Sequence, residues 1–338
     1  MSKIRITLSI FCIILSLSIP SSVAQNSNEI KPMTLKQPPY LKVGDTVMIV
    51  APSGILKNRT AEIEHAKTLL QSWGLQAVVG THVFNQNHHF AGTDYERCED
   101  FQMALDQRNI KAIWCARGGY GAVRILDKLD WTLFKQHPKW IIGYSDITAI
   151  HNAVHNLGIQ SMHAMMCTSL QDAPETIPQT ISSFRAALFG NQPNFQLEGS
   201  KYNNSGTVTG QLVGGNLTIL HTMLGSKTSI DTSGKILFIE EIGEYKYHID
   251  RMFQSLKRAG YFENCKGVII GDMTKIKRNT TPWGTSIEQL IIDVLSDYHF
   301  PIAFNMPAGH DKDNRALTLG RSITLTVSKD KSTINFID

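Results

Sequence analysis

The sequence runs to 338 residues with a formal net charge of +4, of which +2 remains once residues 1–24 are set aside with Lys3 and Arg5. A balance so close to neutral lacks the concentrated basic face that nucleic-acid binding uses, and no nucleic-acid partner is expected. The length left after residue 24 supports two domains of ordinary size.

The amino end reads as an export signal. Lys3 and Arg5 precede an apolar run from Ile6 to Ile19, Pro20 breaks it, and Ser22-Val23-Ala24 places small residues before Gln25. Basic, then apolar, then small is the order of a secretory signal peptide. The competing reading is a membrane anchor, for which the run is short, since a bilayer-spanning helix needs about 20 residues. Residues 1–24 are therefore expected to be a signal peptide, residues 25–42 a polar leader, and the mature protein exported to the periplasm or beyond. Cys98, Cys115, Cys167 and Cys265 remain. None forms a CxxC or a Cys/His pair with zinc spacing, so neither a metal nor a cofactor is expected. Cys115 and Cys167 lie in apolar surroundings and read as core thiols.

Strands and helices then alternate. Thr46 to Val50 is a β-branched strand closed by Ala51-Pro52-Ser53-Gly54. Thr60 to Trp73 is a helix with Ile63, Ala66, Leu69 and Leu70 on one side and Gly74 as its stop. Gln76 to Val79 is a strand, Glu96 to Asp106 a helix, and Ala112 to Ala116 a strand leading into Arg117-Gly118-Gly119-Tyr120-Gly121. A helix from Ala122 to Leu129, a strand Trp140 to Gly143 and a helix Asp146 to Leu157 follow. This alternation predicts an α/β fold with a parallel sheet covered on both faces. Its active site should lie beyond the carboxyl ends of the strands. Residues 43–172 are expected to form this first domain, 173–206 a connection, and 207–338 a second domain. The second domain holds a strand Ile236 to Glu240, a helix around Ile249 to Ala259, a strand Val268 to Ile270 and a terminal β pair within Leu317 to Phe336.

Several residues could carry chemistry. Gly143-Tyr144-Ser145-Asp146 stands at a strand-to-helix junction, where a serine hydroxyl is exposed and helix amides point at a developing oxyanion. The same tetrapeptide also fits a plain helix cap, and Ile147 stands where a G-x-S-x-G elbow has its second glycine. The glycines of Arg117–Gly121 could offer N–H donors to an anion. A dinucleotide fingerprint fails there because its third glycine position is Arg124. Glu240, Glu241 and Glu244 follow a strand and could orient an imidazole, or form a solvated acidic turn. Strand side chains alternate faces, so only one of Glu240 and Glu241 can face a given histidine; alternation does not say which. His310 occupies a loop suited to a base, in competition with His88, His89, His151, His155 and His163.

Taken together, Ile49-Val-Ala-Pro-Ser53, Phe90-Ala-Gly-Thr-Asp94 with Arg97, Arg117-Gly-Gly-Tyr-Gly121, Gly143-Tyr-Ser-Asp146, Gly214-Gly-Asn216, Leu237-Phe-Ile-Glu240, Asp250-Arg-Met252 and Gly309-His310 resemble the LD-carboxypeptidase family of serine peptidases. That family includes murein tetrapeptide carboxypeptidases and microcin immunity hydrolases. The resemblance implies a Rossmann-like amino-terminal domain and a smaller β-rich α/β carboxyl-terminal domain. It implies Ser145 as nucleophile, His310 as general base and Glu240 as its orienting acid, with an oxyanion hole from the Asp146 and Gly119 amides. It implies murein peptides as substrate, hydrolysed at the L,D-bond to a terminal D-alanine, and association into homodimers. Members that recycle murein work in the cytoplasm, whereas the leader here points outward. The competing functions are hydrolysis of peptidyl nucleotide antibiotics, which the leader disfavours, and an inactive wall-binding module.

Overall fold

The computed structural model describes residues 35–171 and 173–337; the expected signal peptide and most of the expected leader lie outside them. In chain order the strands and helices are β1 (Thr46–Val50), α1 (Thr60–Ser72), β2 (Gln76–Val79), α2 (Asp94–Asp106), β3 (Ile110–Cys115), α3 (Ala122–Leu126), α4 (Thr132–Gln136), β4 (Trp140–Gly143), α5 (Thr148–Asn156) and β5 (Ser161–His163). They continue with α6 (Pro178–Leu188), β6 (Phe195–Glu198), β7 (Gly206–Asn216), α7 (Leu217–Thr222), β8 (Lys235–Ile242), α8 (Lys246–Arg258), β9 (Gly267–Thr274), α9 (Ile287–Leu295), β10 (Ile302–Ala303), β11 (Leu317–Leu319), β12 (Ser322–Val327) and β13 (Lys331–Phe336).

The first sheet has the order β11-β5-β4-β3-β1-β2. Its strands β1 to β5 pair in parallel, as helix-linked crossovers require. Both faces are covered, and side-chain alternation divides each strand between two cores. Val47 and Ile49 of β1 join Trp114 and Trp140 on one face. Met48 and Val50 join Ile113, Ile141 and Phe101 on the other.

The second sheet has the order β10-β9-β8-β7-β12-β13-β6. Its β7 to β10 half is parallel and its β12, β13, β6 half antiparallel. The second domain is thus an α/β layer with an antiparallel extension. Helix α8 buries Ile249, Met252, Phe253 and Leu256, the i, i+3, i+4, i+7 stripe of a helix laid on a sheet.

Two features differ from the sequence expectation. The supposed connection 173–206 contains helix α6 and strand β6, and β6 is the outer strand of the second sheet through its pairing with β13. In addition β11, from the carboxyl-terminal part, pairs antiparallel with β5 and closes the edge of the first sheet. The first sheet is therefore not wholly parallel, and the two halves are interlocked at that edge. Cys115 and Cys167 are buried, and the four described cysteines are free thiols.

Candidate active site

Ser145 stands two residues past the end of β4. The backbone must turn there from strand into a short 3-10 turn, Ser145–Ile147, which runs on into α5. The turn forces Ser145 to a φ of +63°, a left-handed conformation that an L-residue rarely adopts and that marks functional turns. The Arg117–Gly121 turn comes up against it: a Cβ on Gly118 would lie 3.0 Å from the Ser145 Cβ and 3.2 Å from its hydroxyl. A side chain at 118 would press on the serine by a few tenths of an ångström, and glycine spares it that displacement. From the second sheet, the Gly214-Gly215-Asn216 end of β7 presses on the start of α5, and the Asn216 amide donates to Thr148 Oγ1 at 3.0 Å.

His310 is carried by the loop between β10 and β11, and Glu240 by β8. His310 Nδ1 lies 2.6 Å from Glu240 Oε2, and His310 Nε2 lies 3.0 Å from Ser145 Oγ. With its proton on Nδ1, the ring donates to the carboxylate and accepts from the serine hydroxyl. Tyr144 stacks edge-on against the ring, 4.9 Å between centroids. The loop is pinned on both sides of the histidine: Gly309 N donates to Asn314 Oδ1 at 3.1 Å, and Asp311 N donates to Asp272 Oδ2 at 3.0 Å.

Glu240 is fully buried. Burial of the His310 ring opposes its charged form, but the hydrogen bond and negative charge of Glu240, helped by Glu241 and Asp272, outweigh that and raise its pKa above the ordinary histidine value. Burial first, and the nearby Asp311 and Glu240 charges next, push Asp272 up to about 7.

The neighbouring acids go elsewhere. Strand β8 continues through Ile242, so Glu241 faces away from His310. It accepts from Asn216 Nδ2, the Thr218 amide and hydroxyl, and its neighbour's Ile242 amide, at 2.7–3.1 Å. Glu244 pairs with His248 Nδ1 at 2.7 Å. Of the other histidines, His151 bonds Ser161 Oγ and the Gly143 carbonyl from within the core, and burial lowers its pKa to about 4. His163 is buried between Tyr144 and Phe238. His88 and His89 lie in the loop before Phe90.

The Asp146 side chain is buried and structural in its contacts. Its Oδ2 accepts from Ser53 Oγ at 2.6 Å and from the Ala122 amide at 2.8 Å, tying the β1 loop and the glycine turn to the residue after Ser145. Its backbone amide belongs to the first turn after β4, where helical amides lack intrahelical partners. Gly119 is exposed beside Gly118, with a φ of +101°. Arg97, present in the sequence motif without a role, proves to be an anchor. It is buried and donates to Pro52 O at 2.6 Å and to Gly121 O at 3.0 Å, and pairs with Asp94. Asp272 and the anchoring role of Arg97 escaped sequence reasoning because the Asp311 amide and the Pro52 and Gly121 carbonyls that they bind belong to distant loops, which no local pattern reports.

Residues 47–164 match the family model of the LD-carboxypeptidase N-terminal domain and residues 209–325 that of the LD-carboxypeptidase C-terminal domain. The chain is 32% identical over 304 residues to a Bacillus subtilis protein named "Probable murein peptide carboxypeptidase", covering 88% of this chain and 94% of that one. It is 30% identical over 291 residues to the murein tetrapeptide carboxypeptidase of Pseudomonas aeruginosa, covering 82% and 92%. The crystal structure of a muramoyltetrapeptide carboxypeptidase from Oxalobacter formigenes superposes with a TM-score of 0.80 at 26% identity, covering 87% of this chain and 99% of that one.

Proposed function

The chain belongs to the LD-carboxypeptidase family and is a peptidase, and we propose that it is a serine-type enzyme that removes the terminal D-alanine from murein tetrapeptides outside the inner membrane. The observation that carries the reading is the hydrogen-bonded chain from Ser145 Oγ through the His310 ring to the buried Glu240 carboxylate. A serine hydroxyl is a poor nucleophile until a base takes its proton, and a third group must hold that base in one tautomer.

In this mechanism Ser145 Oγ attacks the carbonyl of the L-configured diamino-acid centre while His310 Nε2 takes its proton. Glu240 stabilises the imidazolium that forms. The oxyanion is held by the Asp146 amide and by the Gly119 amide of the turn that packs on Ser145. His310 then returns the proton to the departing D-alanine nitrogen, and the carbon–nitrogen bond breaks. Water, deprotonated by the same histidine, releases the acyl group from Ser145.

The purified enzyme should release D-alanine from the tetrapeptide and leave a pentapeptide ending in D-alanyl-D-alanine almost untouched. The physical reason is stereochemical, since the acyl side of the two terminal bonds has opposite chirality. Chromatography of released amino acids on both peptides tests it. D-Alanine set free from the pentapeptide at a comparable rate would show the specificity to be wrong.

The site outside the inner membrane rests on the basic, apolar and small-residue order of residues 1–24. Expressed at full length in a Gram-negative host, the protein should be recovered from the periplasmic fraction with Gln25 as its first residue. An intact Met1 terminus in the cytoplasmic fraction would refute export.

A further inference from the structure

A cavity of about 210 Å³ opens beside the catalytic histidine, and Arg59, Tyr144, Thr168, Ser169, His310 and Asn314 are among the residues around it. That is many times the ~10–15 Å³ of such space that one water needs, enough for one small amino acid. Its polar groups are unevenly used. Arg59, at the start of α1, pairs with Glu62 through Nη1 at 3.3 Å, and no second carboxylate among the described residues reaches it. The Asn314 side chain is buried, with Oδ1 accepting from Gly309 N. Its Nδ2, also buried, has no partner among the described residues. An unsatisfied buried N–H costs about 1–3 kcal/mol, so such a donor is completed by an acceptor other than the described protein atoms, a water or a bound ligand.

The place of the cavity says which part of a substrate would enter it. His310 must hand its proton to the departing nitrogen, so the departing residue lies on the His310 side of Ser145. The glycine turn that packs against Ser145 is formed by other loops, and none of its residues borders the cavity. A residue leaving from the end of a peptide carries a free α-carboxylate. We propose that this cavity receives that carboxylate, with Arg59 supplying the charge and the Asn314 amide an N–H donor. Glu62 then serves to aim the Arg59 guanidinium, and the exposed Asp311 and Lys312 stand at the rim. A site of this kind makes the enzyme an exopeptidase: a peptide that continues past the scissile bond would have to place an uncharged amide against Arg59 in a space sized for one residue.

The inference rests on the reading of the protein as a carboxypeptidase acting through Ser145, and the test separates the two. The substrates are synthetic tetrapeptides L-alanyl-γ-D-glutamyl-diaminoacyl-D-alanine, made with lysine and with diaminopimelate, each as the free acid and as the carboxyl-terminal amide. The enzymes are the wild type and Arg59→Gln, a partly exposed position whose substitution leaves the core alone. Charge-assisted hydrogen bonds contribute enough to predict that amidation lowers wild-type kcat/KM by about 10- to 100-fold. Arg59→Gln should lower kcat/KM on the free acid by a similar factor, mainly through KM, and should change turnover of the amide little. The two losses should therefore not add, and Arg59→Lys should recover part of the free-acid rate. Wild-type enzyme that hydrolyses amide and acid alike, or an Arg59→Gln enzyme slowed equally on both, would overturn the carboxylate receptor and leave the peptidase reading standing. No release of D-alanine from either free acid by the wild type would overturn that reading and the receptor with it.

Discussion

Ser145→Ala should fold as the wild type does and lose turnover by a factor on the order of 10⁴ or more, the usual cost of removing a triad nucleophile. The change deletes one oxygen, whose hydrogen-bond partner is the His310 ring nitrogen 3.0 Å away. It leaves the backbone in the same left-handed turn, where alanine is no more strained than serine. The Gly118 contact at the Ser145 Cβ is also kept. Circular dichroism and the thermal midpoint should therefore stay close to wild type while D-alanine release from the tetrapeptide collapses. A variant that keeps a tenth of wild-type turnover would remove Ser145 from the mechanism.

How much of this was legible beforehand follows the range over which each feature is encoded. Strand β1 and helix α1 were readable because hydrophobic period and stop signals are local, and Trp73-Gly74 ends the helix where expected. Helix α2 begins two residues before the expected Glu96, because Thr93 and Glu96 form a reciprocal capping box that draws Asp94 and Tyr95 into the first turn. Strand β6 within 173–206 was not legible because it is a four-residue edge strand whose partner β13 lies near the far end of the chain. Likewise, nothing within Leu317–Leu319 says that it leaves the carboxyl-terminal half to pair with β5 at the edge of the first sheet. The site shows the same division. Ser145 and His310 stand in compact motifs, and the structure brings them together. The Asp272 carboxyl looks like the ordinary end of an apolar strand until the His310 loop returns to it. Arg59 sits in a polar helix start, and its relation to Asn314 crosses most of the chain.

Glu240→Gln should lower kcat by about 10²–10⁴ by analogy with triad acids, whereas Glu241→Gln should leave kcat near normal and lower stability instead. Strand alternation alone left these two acids indistinguishable; the geometry now gives each its own chemistry. Glutamine at position 240 can still accept from the His310 ring through its amide oxygen, but it has no charge to set against the imidazolium of the transition state. The loss should also appear in the pH profile. A working base must be neutral in the free enzyme, so kcat/KM rises with pH through the His310 pKa. That pKa is held above the ordinary value of ~6.5 against burial, chiefly by Glu240. Removing the Glu240 charge should therefore move the acid limb to lower pH, even as the plateau falls. Glu241→Gln breaks a different set of bonds: a buried acceptor of four hydrogen bonds becomes a group with one oxygen and an NH₂ that faces donors. Each mismatched buried bond costs about 1–3 kcal/mol, read as a lower thermal midpoint. The comparison is kcat, the pH midpoint of kcat/KM and the unfolding temperature for both variants on one tetrapeptide. A collapse of kcat in Glu241→Gln beside near-normal turnover in Glu240→Gln would move the orienting acid by one residue. Equal turnover with an unmoved acid limb in Glu240→Gln would mean that the 2.6 Å contact holds the ring in place without tuning its charge.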